Sequence, residues 1–512
     1  MPIPAPASPP SPSATASTPT AVSPASAVPV VAGIDIATAA VRVLCADAHG
    51  TVLAEGRARL PQPVREEGRS EQDARDWWPA TAEALRQATS ALPAGGAEVT
   101  AVAVSATSGT LVLADADDAP LGPALMYDDR RGADLNARAQ EAGAPRWSAL
   151  GLTVGPTAAL GRVAWYARHA AEHPGAARVL HTPDLIGARL TGGPVPADWS
   201  HALKTGYDPR TGEWPAEVLD ALGIPAGWLP DVRAPGSSAG TVSAGAAAET
   251  GLPEGCEVRL GMTDGCAGQI ATGAVRPGEF VGVLGTTYVL KGVTRDLLTD
   301  PSGALYSHRH PDGWWLPGGA SNTGGEALAQ VPSGRLPALD AAAEERGPAA
   351  CVSYPLRREG ERFPFVSGAA RGFTLGTPAD DAERHRADLE GVAFLERLAL
   401  ERIRALGVPV SGPLYAAGGG SRSPLWTRLR ATALGMPLRV AARAETAFGA
   451  VLLAAAGTLH PSLEEAASAM TGGTGEGRLV EPEPSEKGAL DDSYGRFVAE
   501  LERRGWLSPP AA

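Results

Sequence analysis

The chain is short of cysteine, of long apolar runs and of basic charge, and each shortage removes a class of answers. Its four cysteines, Cys45, Cys256, Cys266 and Cys351, lie far apart and lack CxxC spacing. That excludes a disulfide framework and a cysteine-based zinc site, and it predicts a reducing, cytoplasmic setting. No apolar stretch approaches the roughly 18–20 residues that a membrane helix needs, so no membrane attachment is expected. A formal net charge of −13 argues against a nucleic-acid surface, which requires a basic stripe. Any phosphate ligand must therefore be held by local devices: backbone N–H groups, helix N-termini and a metal ion. No Walker A loop is present and no GxGxxG opens a helix, which argues against a P-loop enzyme and a standard dinucleotide fold. Residues 1–30 carry no charged side chain, the first being Asp35. Without a basic segment, a continuous apolar core or arginines, they read as a disordered Pro/Ala/Ser-rich tail, not a signal or transit peptide.

What remains is a chain of 512 residues with 44% hydrophobic and 20% charged residues, an ordinary globular balance. That length suits two domains of about 200–250 residues each. Val30 to Cys45 and Thr51 to Leu60 alternate around His49-Gly50 and predict a β-hairpin. Residues 73–92 follow with Trp78, Leu85, Ala88 and Leu92 near helical spacing. Residues 99–121 read as strand, turn, strand; 155–190 read as helical, with a helix start at Pro183-Asp184-Leu185. The 200–260 region reads as loops with short strands. A strand-loop-helix pattern restarts at 257–275, and 278–294 predicts a second hairpin with threonine at its turn. The clearest helix runs from 380 to 406, lined by Leu389, Val392, Ala399, Ile403 and Leu406, with Gly407 as its stop. Residues 412–435 read as strand, Gly-rich loop, helix and Gly stop. Two segments, 33–44 and 282–290, share a strand-turn-strand with Gly and Thr at the turn, which suggests two similar lobes facing a cleft.

Within "GIDIATAAVRVL" (33–44), Asp35 stands between Ile34 and Ile36. On a strand its side chain points opposite to both neighbours, so it can face a cleft while they fill the core. A buried carboxylate needs a donor or a metal. Asp35 is either a satisfied strand-end aspartate or the partner of a Mg²⁺-phosphate group, with Thr38 and nearby N–H groups in reach of phosphate. In "GMTDGCAGQ", Asp264 is either an ordinary helix N-cap or a group at a ligand, since small neighbours let a ligand approach the backbone. "GVLGTT" (282–287) and "AAGGGSRS" (416–423) are Gly-rich turns after strands, each weak alone as a phosphate cradle. His308 and His310 form an HxH pair with no third ligand in view and read as structural. Trp77-Trp78 read as core, and Cys266 as a packing residue.

Taken in order, these stretches are far more specific than singly. With "SATSGTLVLAD" (105–115), "DWSHALKTGYD" (198–208), "YSHRHPDGWWLPGGASNTGG" (306–325), "GERFPF" (360–365) and "AETAFGAVLLAAAG" (444–457), the chain resembles the FGGY carbohydrate kinases over about residues 31–460. Within them it looks most like the D-ribulose kinase, or xylulose kinase-like, subgroup. The resemblance implies an α/β fold of two ribonuclease H-like (actin-type ATPase) lobes with sugar and ATP in the central cleft. It places an N-terminal, sugar-side lobe at 31–260, a C-terminal, ATP-side lobe at 261–490, and a C-terminal helix and tail at 491–512. It implies Asp264 as catalytic base and as a sugar contact, Ser108 as a sugar contact, and Asp35 near Mg²⁺, through water, and near the sugar. Thr38 belongs to the first phosphate hairpin, as an ATP and a sugar contact; Gly285 and Thr286 belong to the second. Gly418, Gly419, Gly420 and Ser423 match the adenosine loop, with Gly324 and Gly325 nearby. The implied reaction is ATP- and Mg²⁺-dependent phosphorylation of a ketopentose, D-ribulose to D-ribulose 5-phosphate first. The alternatives are a D-xylulose kinase, or a sugar-responsive ATP-binding protein or slow ATPase on the same scaffold. Ala37 replaces the usual hairpin Gly, where a methyl group crowds phosphate or bars positive φ. His201 stands where Asn is expected, which touches sugar selectivity. Asp129 and Arg131 serve either a sugar pocket or a salt-bridged loop.

Overall fold

A computed structural model describes Met1, residues 28–472 and residues 477–507. The tail expected at 1–30 therefore lies almost wholly outside the described residues, as do the last five residues.

Two sheets organise the molecule. In the first, the strand order is Ser238–Thr241, Glu257–Thr263, Val99–Ala106, Val30–Ala37, Ala40–Asp47 and Val52–Arg59. The last three form an antiparallel meander, and Val30–Ala37 pairs in parallel with Val99–Ala106. In the second, the order is Tyr306–Arg309, Trp315–Ala320, Tyr288–Gly292, Phe280–Leu284, Leu414–Ala417, Leu438–Val440 and Arg478–Val480. Phe280–Leu284 is antiparallel to Tyr288–Gly292 and parallel to Leu414–Ala417. Each sheet thus joins a hairpin to a parallel strand on the other side of the hairpin's first strand. The two-lobe repeat lies in this topology more than in the residues.

The alternation around Asp35 is real. Ala32, Ile34 and Ile36 join the core beneath the helix Trp77–Ser90. Val31, on the opposite face, joins a core shared with the helices Asp264–Ala271 and Thr446–Ala455. The helix Thr446–Ala455 is buried along Ala447–Ala455, as an all-round apolar helix must be. It reaches the first sheet because Gly33 has no side chain: a Cβ there would lie 2.2 Å from the Ala447 carbonyl oxygen. A Cβ at Gly449 of that helix would lie 2.0 Å from the Ala267 carbonyl oxygen, on the helix that begins with Asp264. Segment 444–457 therefore packs on the first lobe despite its late position. The division expected at 260/261 falls inside the strand Glu257–Thr263, which pairs with Val99–Ala106.

Other expectations change locally. Residues 155–190 are not continuously helical: the strand Arg178–His181 separates the helices Ala159–Arg168 and Thr182–Thr191. The latter does start at the Pro183 signal. The 200–260 region also holds the helices Ala216–Leu222 and Ala244–Thr250. Gly and Ala in that stretch masked short, weakly periodic helices. Trp77, not Trp78, anchors its helix in the core; Trp78 is half-buried and donates to Glu249. The long helix runs Asp381–Ala405, capped by Asp380, whose carboxylate accepts from the Glu383 N–H. No helix among the described residues is long and apolar enough to cross a membrane.

Candidate active site

Asp264 is the first residue of its helix, directly after the last central strand of the first sheet. The chain turns there because Thr263 is extended while Gly265 donates its N–H to Asp264 Oδ1 at 2.6 Å. Asp264 keeps its carboxylate half-exposed to a cavity of about 630 Å³. The first lobe contributes Ser108, Gly109 and Lys204 to the wall; the second contributes Lys291, Tyr306, His308 and Arg362. Both lobes thus build one pocket around Asp264.

Ser108 sits in the turn after Val99–Ala106, and its hydroxyl is buried without a protein partner. The turn is pinned from below. Arg162 is buried and donates to the carbonyls of Gly109 at 2.6 Å, Thr157 at 3.0 Å and Asp129 at 3.1 Å. Burial pushes its guanidinium down to about 10, opposed by Asp129 and Asp128. Nothing in the local sequence pointed to Arg162, because its partners are carbonyls from three separate segments.

Asp35 is 4% exposed and lies opposite Arg42 in the hairpin register, 3.5 Å from its Nη1. Burial pushes its carboxyl up to about 6; Arg42 opposes the rise and the Asp264 charge adds to it. The two carboxylates are therefore close enough to sense each other. Asp35 is thus a buried carboxylate whose one cationic neighbour is a long contact, and an oxygen ligand of this kind suits a hard divalent cation or its water shell. At the hairpin tip, Gln72 donates to the carbonyls of Thr38 at 3.0 Å and Pro61 at 2.6 Å, and accepts from Trp77 Nε1 at 2.8 Å. Trp77 thus fixes Thr38 through one intermediary. Ala37 is paired with Ala40 and lacks positive φ, so only the methyl-crowding half of the expectation remains.

The second hairpin gathers the remaining glycines. Gly325 donates its N–H to the Gly285 carbonyl at 2.9 Å, and Glu326 to the Thr286 carbonyl at 2.9 Å. A Cβ at Gly324 would meet the Thr287–Tyr288 backbone at 2.4 Å. Gly285 spends its own N–H on the Thr287 carbonyl at 3.1 Å, so it shapes the turn and offers no free donor. Gly418, at φ +86°, turns the chain against Leu284, whose carbonyl oxygen would lie 2.5 Å from a Cβ there; Gly419 is open. Gly285, Thr286, Gly324, Gly325, Gly418, Gly419 and Gly420 therefore converge on the end of Phe280–Leu284. Ser423 stands apart in role. Its hydroxyl caps the helix Pro424–Leu434, accepting from Trp426 N–H at 3.1 Å, and donates to Asp340 at 2.7 Å.

Two buried acids hold this assembly. Glu361 accepts from Ser321 Oγ at 2.9 Å, the Asn322 N–H at 2.6 Å, Thr323 Oγ1 at 3.0 Å and Tyr354 OH at 2.9 Å. That ties "GERFPF" to the loop carrying Gly324 and Gly325. Glu396 takes a two-pronged ion pair from Arg430 at 2.6 and 2.7 Å, and Arg430 also donates to the Gly282 carbonyl at 3.3 Å.

The structure also sorts the remaining readings, and changes that of His308. His201 does not line the cavity. It is buried, with Nδ1 2.5 Å from Asp198 Oδ2. Burial presses its imidazole down, but Asp198 outweighs this and leaves it raised. Buried Asp129 and half-buried Arg131 form an ion pair at 2.9 Å, joined by Glu71 at 2.7 Å, and neither lines the cavity. His308, read as structural, lines the cavity, 5% exposed, with Nε2 unpartnered. His310 stays structural, its ring accepting from the Asp312 N–H at 3.1 Å. No cluster of three or more metal-ligating side chains occurs among the described residues. Cys266 is buried in the core beneath Asp264.

With this geometry in place, comparison with known proteins gives a consistent picture. Residues 30–271 match the N-terminal domain of the FGGY family of carbohydrate kinases, and residues 278–458 match its C-terminal domain. Xylulose kinase of Streptomyces rubiginosus is 31% identical over 489 residues, covering 93% of this chain and 98% of that protein. Xylulose kinase of Streptomyces coelicolor is 31% identical over 439 residues, covering 83% and 88%. The crystal structure of xylulose kinase from Rhodospirillum rubrum superposes with a TM-score of 0.81 at 27% identity, covering 93% of this chain and 98% of that one.

Proposed function

The chain belongs to the FGGY family of carbohydrate kinases, with the α/β two-lobed, actin-like fold of that family, and is an ATP-dependent sugar kinase; from that premise we propose that its acceptor is a ketopentose. The observation that carries this is the cavity itself. Asp264 faces it from the seam of the two lobes, and Ser108 offers it an uncommitted hydroxyl. Two readings of the sugar have separate support. The names of the similar proteins favour D-xylulose. The Thr107–Thr110 turn with Ser108 favours D-ribulose, through its resemblance to the D-ribulose kinase subgroup.

In this proposal Asp264 orients the sugar hydroxyl and accepts its proton as the phosphoryl group is transferred. An ordinary carboxylate suffices, because in a loose transition state the proton leaves late. Ser108 hydrogen-bonds the sugar. The second hairpin, with Gly285 and Thr286, and the first, with Thr38, flank the ATP phosphates. Gly324, Gly325, Gly418, Gly419 and Gly420 form the flat wall for adenosine, with Ser423 holding the helix behind it. Asp35 is the residue that would hold Mg²⁺, through water, and the ion when bound would offset phosphate charge in this acidic setting. Cleft closure excludes water from ATP.

The test is ADP release with Mg²⁺ and ATP over D-xylulose, D-ribulose, pentitols, hexoses and glycerol, beside Asp264→Asn. Stimulation by a ketopentose that the variant loses supports the proposal. ADP release indifferent to every sugar moves the assignment to a slow ATPase or sensor.

A further inference from the structure

Only three of the chain's 44 Lys and Arg residues are lysine: Lys204, Lys291 and Lys487. Two of the three line the cavity at Asp264. Lys291 projects from Tyr288–Gly292 toward Gly265, where a Cβ would lie 3.0 Å from its Nζ. It has no carboxylate within salt-bridge distance among the described residues, and its one side-chain contact is Cys266 Sγ at 3.9 Å. Lys204 comes from the opposite lobe and donates to Tyr306 OH at 2.9 Å, also without a carboxylate partner. His308, on the same strand as Tyr306, lines the cavity beside this group, and its buried Nε2 has no partner. Burial, with Lys204 and Lys291 adding to it, presses its imidazole well below the usual range, so it is neutral.

We propose that Lys291, with Lys204–Tyr306 and His308 around it, recognises the C2 carbonyl and adjoining hydroxyls of an open-chain ketose and so selects ketopentoses over pentitols. This rests on the kinase reading above. A 2-ketopentose closes its ring by joining O5 to C2. An O5 that is free to accept phosphate therefore belongs to the open-chain form, whose C2 is a ketone. A ketone oxygen only accepts hydrogen bonds, so the pocket must supply donors. Lys291 has three with no strong protein acceptor; Tyr306, already accepting from Lys204, has its own O–H to give. His308 supplies the acceptor that a hydroxyl needs.

The choice of lysine decides between acceptors. A carboxylate-bearing sugar favours the planar, two-pronged fork of arginine, which at this cavity comes from Arg362, exposed in the wall, and from Arg162, spent on carbonyls, and not from the residues beside Asp264. An ammonium is compact, with rotatable donors, and suits single oxygens on a flexible chain. A site built to bond a polar group rejects the analogue lacking it, because its own groups are then left unpaired.

The experiment measures kcat/KM for D-ribulose, D-xylulose, ribitol, xylitol and a five-carbon sugar acid with wild-type protein, Lys291→Met, Lys291→Arg and Lys204→Met. Melting temperatures establish that each variant is folded. The wild type is expected to prefer a ketopentose to the matching pentitol. Lys291→Met should lower the ketopentose value about 10- to 100-fold, the worth of a hydrogen bond from a charged donor. The pentitol value should move much less, so that selectivity collapses, and Lys291→Arg should not restore it. Equal losses for ketose and pentitol overturn the assignment while leaving the kinase reading intact, as does a wild-type preference for the sugar acid or full activity in Lys291→Arg. No sugar-dependent ADP release from wild type at all overturns the kinase reading itself, and this assignment with it.

Discussion

Asp264 and Asp35 are both carboxylates at the cleft, yet their surroundings give them different work. Asp264 stands half-open at a helix start, its Oδ1 accepting from the Gly265 N–H. Asp264→Asn should cost about 10²–10⁴ in kcat, the usual contribution of a positioned base, with little change in sugar KM. Asp35 is shut in, and its folded carboxyl titrates at about 6. A folded pKa above the unfolded one means the native protein holds the extra proton between about pH 4 and 6. Stability should therefore fall as pH rises through that window. Asp35→Asn should raise the stability of the ligand-free protein at pH 7.5 by about 1–3 kcal/mol while abolishing turnover. Urea unfolding at pH 5 and pH 7.5 checks this; a variant less stable than wild type at pH 7.5 contradicts it. Ala37→Gly removes a methyl at the hairpin end and should lower the KM for ATP. An unchanged ATP KM and kcat would show that the methyl is harmless.

Among elements, the second hairpin depends on acids the sequence did not single out. Glu361 lies in a quoted motif, but its purpose is visible only when Ser321, Asn322, Thr323 and Tyr354 are seen donating to it. Glu361→Leu leaves buried donors without an acceptor and should destabilise the protein by about 2–4 kcal/mol. It should also raise the KM for ATP more than that for sugar, since the loop it holds carries Gly324 and Gly325. Calorimetry with a two-substrate kinetic matrix separates these effects. The helices missed in 200–260 and the strand missed at Arg178–His181 have a common cause. Short elements carry too few residues for a period to stand out, and neighbours decide them. The helix Asp381–Ala405, 25 residues long with a cap and a glycine stop, was legible throughout.

At the scale of the molecule, the seam between lobes is a pair of helices in backbone contact. The helix Thr446–Ala455 lies on both the first sheet and the helix of Asp264, permitted by Gly33 and Gly449. Gly449→Ala puts a methyl where the Ala267 carbonyl now lies. It should lower both thermal stability and kcat by displacing the Asp264 helix, so Asp264→Asn should cost less kcat in the Gly449→Ala background than in wild type. Melting curves and a double-mutant comparison test it; wild-type kcat in Gly449→Ala would show that this helix contact does not position Asp264.

Sequence alone determined the hairpins, the long helix, Asp35 facing away from its isoleucine neighbours and Asp264 at a strand–helix junction. These are local matters, set by the two-residue period of a strand, by caps and by glycine, and the order of the motifs carried the family. Only tertiary structure decided which charged groups meet. Arg162 reached the carbonyls of Gly109, Asp129 and Thr157, Arg430 met Glu396, and His308 faced the cavity with Lys204 and Lys291. Each of those partners is fixed by chain crossings or turn geometry that no local period encodes. A side chain's charge says that it needs a partner, and only the fold says which one it finds.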